Sequence, residues 1–295
     1  MTRELTYCIP PEYDGKKVIQ YLRGAAEFST RLIVLLKNTP GGMLCNGAPI
    51  RTIDRLHAGD TLQISIPARG GTPQPIAYDL DILFEDSDLL ILNKPPTLAM
   101  HPTHNHQGDT LANAVAAYYA QKGMAMTFRA VGRLDKGTSG VVVCALNAYA
   151  AARLSGKTQK SYLAIAGGEF CGGGAIGKRI YRPDPMKTLR ACAEEGEDIG
   201  ESALTHWEAL QSLPEGTLLR VRPQTGRTHQ IRVHFASLGA PLLGDDMYGG
   251  IHPEIGHPLL HCESCRFVHP VTGEALCIEA PVHGDFLGFL DSANA

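Results

Sequence analysis

The 295-residue chain has no apolar run approaching the roughly 18 to 20 residues that a membrane-crossing helix needs. A helical membrane protein is therefore not expected. The opening MTRELTYCIPPEYDGKK lacks the apolar core of a secretory signal. Eight cysteines are scattered without the spacing of a disulfide scaffold, which points to reduced thiols and a cytoplasmic protein. Cys262-x-x-Cys265, flanked by His261, has no second Cys-x-x-Cys among Cys8, Cys45, Cys144, Cys171, Cys192 and Cys277, so a four-ligand zinc site lacks its other half. His101, His104 and His106 likewise have no partner pair at ligand spacing, and their Pro, Asn and Gly neighbours suit a polar loop. Gly172 to Gly174 are not followed by Gly-Lys-Ser/Thr, which excludes the usual nucleotide-phosphate loop.

Overall positive charge is also missing. The formal net charge is −3, which taken alone argues against nucleic acid as a partner. The average conceals an asymmetry. Residues 121–232 hold 16 Lys and Arg against 10 Asp and Glu, a balance of +6, whereas residues 1–120 carry −2 and residues 233–295 carry −7. Local positive charge of this kind attracts phosphate without making the whole protein basic, although a solvated basic face would read the same way.

The basic segment contains a loop-and-strand unit. Gly132 to Gly140, GRLDKGTSG, runs into the β-branched stretch Val141, Val142, Val143, Cys144, Ala145, Leu146, which reads as a strand buried on both faces. Asp135 then lies on a tight loop at a strand end, with Arg133, Lys136, Thr138 and Ser139 around it. Cations and hydrogen-bond donors keep such a carboxylate ionised. Alone, the unit reads equally as a turn with a local ion pair. Two further motifs follow in order, Lys160-Ser161-Tyr162 and Thr225 to His234, TGRTHQIRVH.

Upstream, residues 14–67 read as a small module. A helix carries Val18, Ile19 and Leu22, and a second, capped by Ser29 or Thr30, carries Leu32, Ile33, Leu35 and Leu36. Met43 to Cys45 enters an Asn46-Gly47 turn, and Leu62, Ile64 and Ile66 alternate along a strand. ARGGTPQP, Ala68 to Pro75, has linker composition. Beyond it come a strand over Leu89 to Leu92, a helix capped by Thr110, a helix over Asn147 to Gly156 and a strand from Lys160 to Gly167. In that strand Tyr162, Ala164 and Ala166 share one face and Leu163 and Ile165 the other. Leu218 to Pro223 reads as a strand with Arg220 and Arg222 on one face. The next helix is expected to start near Thr228, which puts Arg227 at its N-terminus, where amides favour phosphate. Cys171 to Ser202 admits two readings, a basic lobe on RNA backbone or a self-neutralising insertion.

The ordered set GRLDKGTSG, Lys160-Ser161-Tyr162 and TGRTHQIRVH resembles the RluA family of pseudouridine synthases. Lys94-Pro95, His101-Pro102 and the Gly244 to Gly249 segment fit as well. Many members carry His where this chain has Gly132. The resemblance implies an α+β fold, with a catalytic domain built on a mixed, mainly antiparallel sheet, at 77–295. Residues 1–70 resemble the alpha-L RNA-binding module of a ribosomal small-subunit protein, an α/β unit, with 71–76 as linker. Its usual basic density is thinned here to Lys16, Lys17, Arg23, Arg31 and Lys37.

The implied activity is isomerisation of uridine to pseudouridine in ribosomal or transfer RNA. No cofactor is needed, because no atoms are added and nothing is oxidised overall. The resemblance implies Asp135 as the catalytic residue, nucleophile or base toward the sugar, Tyr162 against the target base and Arg232 as the cation that pairs with Asp135. Arg133 is expected to enter the space left by the extruded uridine, with Lys160, Thr138, Arg227, His229 and Gln230 as further substrate contacts. Two other classes stay open. A glycoside-cleaving hydrolase needs a second carboxylate, which no motif supplies. A non-catalytic RNA-binding protein does not need Asp135, Tyr162 and Arg232 together.

Overall fold

The computed structural model describes residues 2–67, 71–102 and 108–294. Ala68 to Gly70, at the start of the linker stretch, and His104 and His106 lie outside the described residues.

The first sheet has four strands among the described residues. β1 (Arg3–Cys8) pairs antiparallel with β4 (Thr61–Ile66), which also pairs with β2 (Met43–Cys45), and β3 (Ala48–Pro49) closes the edge. Two helices cover it, α1 (Val18–Arg23) and α2 (Thr30–Lys37). Ser29 caps α2 by accepting the amide of Leu32. Leu62, Ile64 and Ile66 are all buried, the alternation read from sequence. β1 was not foreseen, because RELTYC has only weak alternation and gains its place from β4. Asn46 and Gly47 both have positive φ, as a two-residue hairpin turn requires.

The second sheet has ten strands among the described residues. They are β5 (Ile82–Glu85), β6 (Leu89–Lys94), β7 (Ala130–Val131), β8 (Ser139–Ala145), β9 (Gln159–Ala166), β10 (Gly173–Ile176), β13 (Thr205–Leu213), β14 (Gly216–Pro223), β15 (Leu260–Val268) and β16 (Ala275–Glu279). The main order is β10-β13-β14-β9-β15-β8-β6-β5, with β7 added to β8 and β16 to β15. Only the β15–β8 pairing within it is parallel. A separate hairpin of β11 (Ile180–Tyr181) and β12 (Ala191–Cys192) lies in the stretch that allowed two readings.

Every residue of β6 and β8 is buried. At roughly 1.5–3 kcal/mol for each fully buried large aliphatic side chain, this central pair anchors the sheet. On one side Tyr162, Ala164 and Ala166 of β9 join a core with α3 (Leu111–Gln121), α4 (Ala148–Leu154) and α5 (Gln230–Ala236). On the other, Ile165 packs with Phe286 and Phe289 of α6 (Gly284–Asn294). Thr110 caps α3 as its residue type foretold, and Asn147, expected inside the helix, caps α4 instead. β8 and β15 approach so closely at Gly140 that a β-carbon there would stand 2.2 Å from the carbonyl oxygen of Cys262, and φ is +104°. Only glycine fits.

The two sheets are joined by more than chain. Arg3 holds both carboxylate oxygens of buried Asp88 at 2.8 Å. Tyr149 of α4 packs on Phe28 with ring centroids 4.8 Å apart. The segment expected to be a free linker is tied down as well, since Asn113 donates to the carbonyl of Gln74 at 2.8 Å and accepts the amide of Ile76. No helix among the described residues is long and apolar enough to cross a membrane.

Candidate active site

β7 and β8 are joined by the loop that carries Asp135. The amide of Thr138 donates to the carbonyl of Asp135 at 3.1 Å and closes a turn, while buried Leu134 pins the loop to the core. The Asp135 side chain is consequently held at the wall of an open cleft. Arg133, Thr138, Tyr162, Arg227, His229, Gln230 and Arg232 line the same cleft. Three stretches far apart in sequence therefore meet at one place.

Gly132 has φ +74°, a backbone state that favours glycine over histidine. The nearest group to the position of a β-carbon there is the Lys160 ammonium, at 3.6 Å. Lys160 thus sits under the loop and lines a neighbouring groove with Arg220 and Arg222, not the cleft of Asp135. Expected as a substrate contact, Lys160 is not among the residues that line the cleft of Asp135.

Arg232 is the largest departure. Its Nε and Nη2 fork onto Oδ2 and Oδ1 of Asp245 at 2.6 and 2.7 Å, both residues being buried. Nη1 is left toward Asp135, 3.9 Å from Oδ2. Arg133 reaches the other oxygen at 3.8 Å. Asp135 therefore stands between two guanidinium groups without being clamped by either, and the main partner of Arg232 is Asp245. Burial opposes the charge on Arg232, yet the hydrogen bonds and charge of Asp245, with the charge of Asp135 behind them, hold its pKa above the usual range.

Tyr162 is buried with its edge in the cleft. Burial raises its pKa well above the ordinary phenol value, and the thiol of Cys262 and the charge of Asp135 add to this. It is a neutral phenol, suited to packing against a ring.

α5 begins at Gln230, two residues later than expected, because His229 adopts a left-handed conformation with φ 57° and ψ 20°. The helix is only seven residues long. Arg227 turns its guanidinium to Ser202 and Glu201, although it still borders the cleft. Gln230 is spent internally. Its oxygen accepts from Thr225 and the Arg227 amide, and its nitrogen donates to Leu204 and Thr205. Expected as a substrate contact, it instead fixes the turn that presents Arg227 and His229. His229 bonds Tyr248 through Nδ1 at 2.9 Å. Its pKa is lowered, first by burial and then by Arg232 and Arg190, against the pull of Asp135 and Asp245.

Three neighbours of Asp135 escaped the sequence reading: Asp245, Tyr248 and Lys94. The Gly244-Asp245 and Tyr248-Gly249 pairs were visible only as part of a segment. Lys94 ends β6 fully buried and donates to the carbonyls of Pro95 and Leu98, each at 2.8 Å. Burial lowers its pKa to about 7, opposed by the charge of Asp135. A lysine closing an apolar strand was the available signal.

As for metals, both ring nitrogens of His261 are engaged, with Ser139 at 2.9 Å and the Ala280 carbonyl at 3.1 Å, and burial pushes the Cys262 thiol up to about 12. Asp86, Asp88 and His269 form a cluster of ligand atoms, but both oxygens of Asp88 already accept from Arg3.

Residues 88–237 match the family model described as RNA pseudouridylate synthase. A Bacillus subtilis protein named as the uncharacterized RNA pseudouridine synthase YjbO is 32% identical over 279 residues, which is 92% of this chain and 97% of that one. The chain belongs to the pseudouridine synthase family. The ribosomal large subunit pseudouridine synthase D of Vibrio parahaemolyticus is 36% identical over 232 residues, 72% of this chain and 70% of that protein. The structure named human RNA pseudouridylate synthase domain containing 1 superposes with a TM-score of 0.57 at 25% identity, covering 73% of this chain and 86% of its own. The synthase is thus an RNA-modifying isomerase of the RluA type, with the mixed, mainly antiparallel sheet of such proteins. The family match spans the Asp135 loop, Tyr162 and Arg232.

Proposed function

We propose that the chain converts particular uridines of structured RNA, ribosomal or transfer, to pseudouridine, with Asp135 as the catalytic residue and the target base turned out of its stack. The observation that carries this reading is the meeting of Asp135, Tyr162 and Arg232 around one open cleft. The reaction breaks the bond from sugar to uracil nitrogen, makes a bond from the same sugar carbon to a ring carbon, and removes one proton from that ring carbon while the released ring nitrogen gains one. Asp135 acts toward the sugar, as nucleophile or base, between two guanidinium groups at 3.8 and 3.9 Å, neither of which clamps it. Tyr162 packs on the uracil during its turn. Arg133, with a side chain largely exposed at the rim, enters the space the nucleotide leaves.

Residues 1–70 serve as an alpha-L type RNA-binding module, joined through 71–76 to a catalytic domain at 77–295. Distinct hydrophobic clusters in the two parts support that division, with Tyr149 of α4 reaching across into the N-terminal one. No cofactor or metal takes part, the reaction being redox-neutral, and the enzyme works in the cytoplasm. The Vibrio relative's name makes large-subunit ribosomal RNA the first substrate to test. With RNA tritiated at uracil carbon five, Asp135→Asn is expected to bind RNA and release no tritium. Release at the wild-type rate would refute the assignment.

A further inference from the structure

Tyr248 occupies an unusual junction. Its hydroxyl accepts the backbone amide of Arg190 at 3.0 Å, faces Nδ1 of His229 at 2.9 Å, and its ring lies 5.1 Å from the guanidinium carbon of Arg232. Arg190 belongs to the 180–192 hairpin region and His229 borders the cleft, so one side chain joins the two. The protons can be placed. An amide can only donate, so the hydroxyl oxygen is the acceptor in the Arg190 bond. The hydroxyl's own proton then needs an acceptor, and Nδ1 of His229 is in reach. A proton on Nδ1 instead would make that oxygen accept twice and leave its half-buried hydrogen with no partner. Nδ1 is therefore bare and Nε2 carries the proton. Nε2 makes no hydrogen bond among the described residues, and His229 lines the cleft beside Asp135.

We propose that His229 donates a hydrogen bond from Nε2 to an acceptor oxygen of the nucleotide seated against Asp135, and that Tyr248 is the positioning residue that fixes this tautomer. The inference rests on the reading of the cleft as the uridine site. A uracil carbonyl and a phosphate oxygen present the same acceptor chemistry.

The left-handed backbone at His229 suits the test, because asparagine tolerates that conformation well. His229→Asn therefore keeps the turn, yet its short amide does not reach the Nε2 position. His229→Gln places a donor near it. Pseudouridine formation in His229→Asn is expected to fall roughly 10- to 100-fold in kcat/KM, as for loss of one donor to a strong acceptor. His229→Gln should regain at least tenfold of this. In enzyme labelled with ¹⁵N-histidine, the long-range proton–nitrogen pattern of His229 should be that of the Nε2–H form. Tyr248→Phe should show a tautomer mixture and a smaller loss, with no further loss when combined with His229→Asn. Target uridines carrying sulfur at a carbonyl, or phosphorothioate flanks, distinguish the two acceptors, since the penalty of His229→Asn shrinks only for the altered atom. An Nδ1–H form in the wild type, full activity in His229→Asn, or an unchanged penalty on every thio substrate would overturn the proposal. Asp135→Asn run alongside separates the cases. If it stays active, the reading of the cleft fails; if it is dead while His229→Asn is fully active, only the present inference does.

Discussion

Asp245 is the residue whose replacement tests the electrostatic design most directly. It is completely buried, and its two oxygens take the Nε and Nη2 hydrogens of Arg232 at 2.6 and 2.7 Å. Asp245→Asn keeps the shape and one acceptor but turns the other position into a donor facing a donor. Removing one member of a buried ion pair costs about 3–5 kcal/mol, because the remaining charge stays buried. Arg232→Met alone should cost a similar amount by stranding Asp245. The double variant has no buried charge left, so its loss should be several kcal/mol smaller than the two single losses together. Activity should behave differently. In Asp245→Asn the freed fork turns to Asp135, now its nearest carboxylate, and a clamped Asp135 is withdrawn from the sugar. A fall in kcat of about 100-fold corresponds to about 2.7 kcal/mol of lost transition-state stabilisation. The double variant stays as inactive as the worse single. Urea denaturation followed by circular dichroism gives the stabilities, and tritium release gives the rates. Additive stability losses, or a fully active Asp245→Asn, would refute the assignment of Asp245 as the main partner of Arg232.

Lys94 makes stability depend on pH. Its pKa is near 7 when folded and about 10.5 when unfolded, so between these values the unfolded chain holds the extra proton and stability rises with pH. Urea midpoints measured from pH 6.5 to 10 should rise more steeply for the wild type than for Lys94→Met, and equal slopes would contradict this. Gly140→Ala places a methyl group 2.2 Å from the Cys262 carbonyl at φ +104°, so it should yield little folded protein, read as soluble yield and Tm. Arg3→Ala leaves buried Asp88 without its cation and should cost about 2–4 kcal/mol. It should also speed cleavage in the 71–76 segment under limited proteolysis; an unchanged cleavage rate would mean that the Arg3 contact does not hold the two sheets together.

How much of this was legible follows from what kind of interaction decides each feature. Local chemistry was readable: the caps at Ser29 and Thr110, the turn at Asn46-Gly47, and the two faces of β9 all depend on residues a few positions apart. The convergence of Asp135, Tyr162 and Arg232 came through resemblance, since no periodicity links residues nearly a hundred positions apart. What stayed hidden were choices made by tertiary competition. Arg232 had two carboxylates within reach, and burial decides between them. An aspartate with no exposure must have a fully bonded cation, whereas Asp135 keeps contact with the cleft and can leave its cations at 3.8 and 3.9 Å. A motif records that an arginine is present, not which acid holds it. The same logic separates Gln230 from His229, adjacent residues in one motif. Four internal hydrogen bonds remove the amide of Gln230 from substrate chemistry, while the single bond to Tyr248 leaves half of the imidazole to face the cleft. A site of this kind is built by satisfying most of its polar atoms within the protein, and the few left unsatisfied are those that can meet the nucleotide.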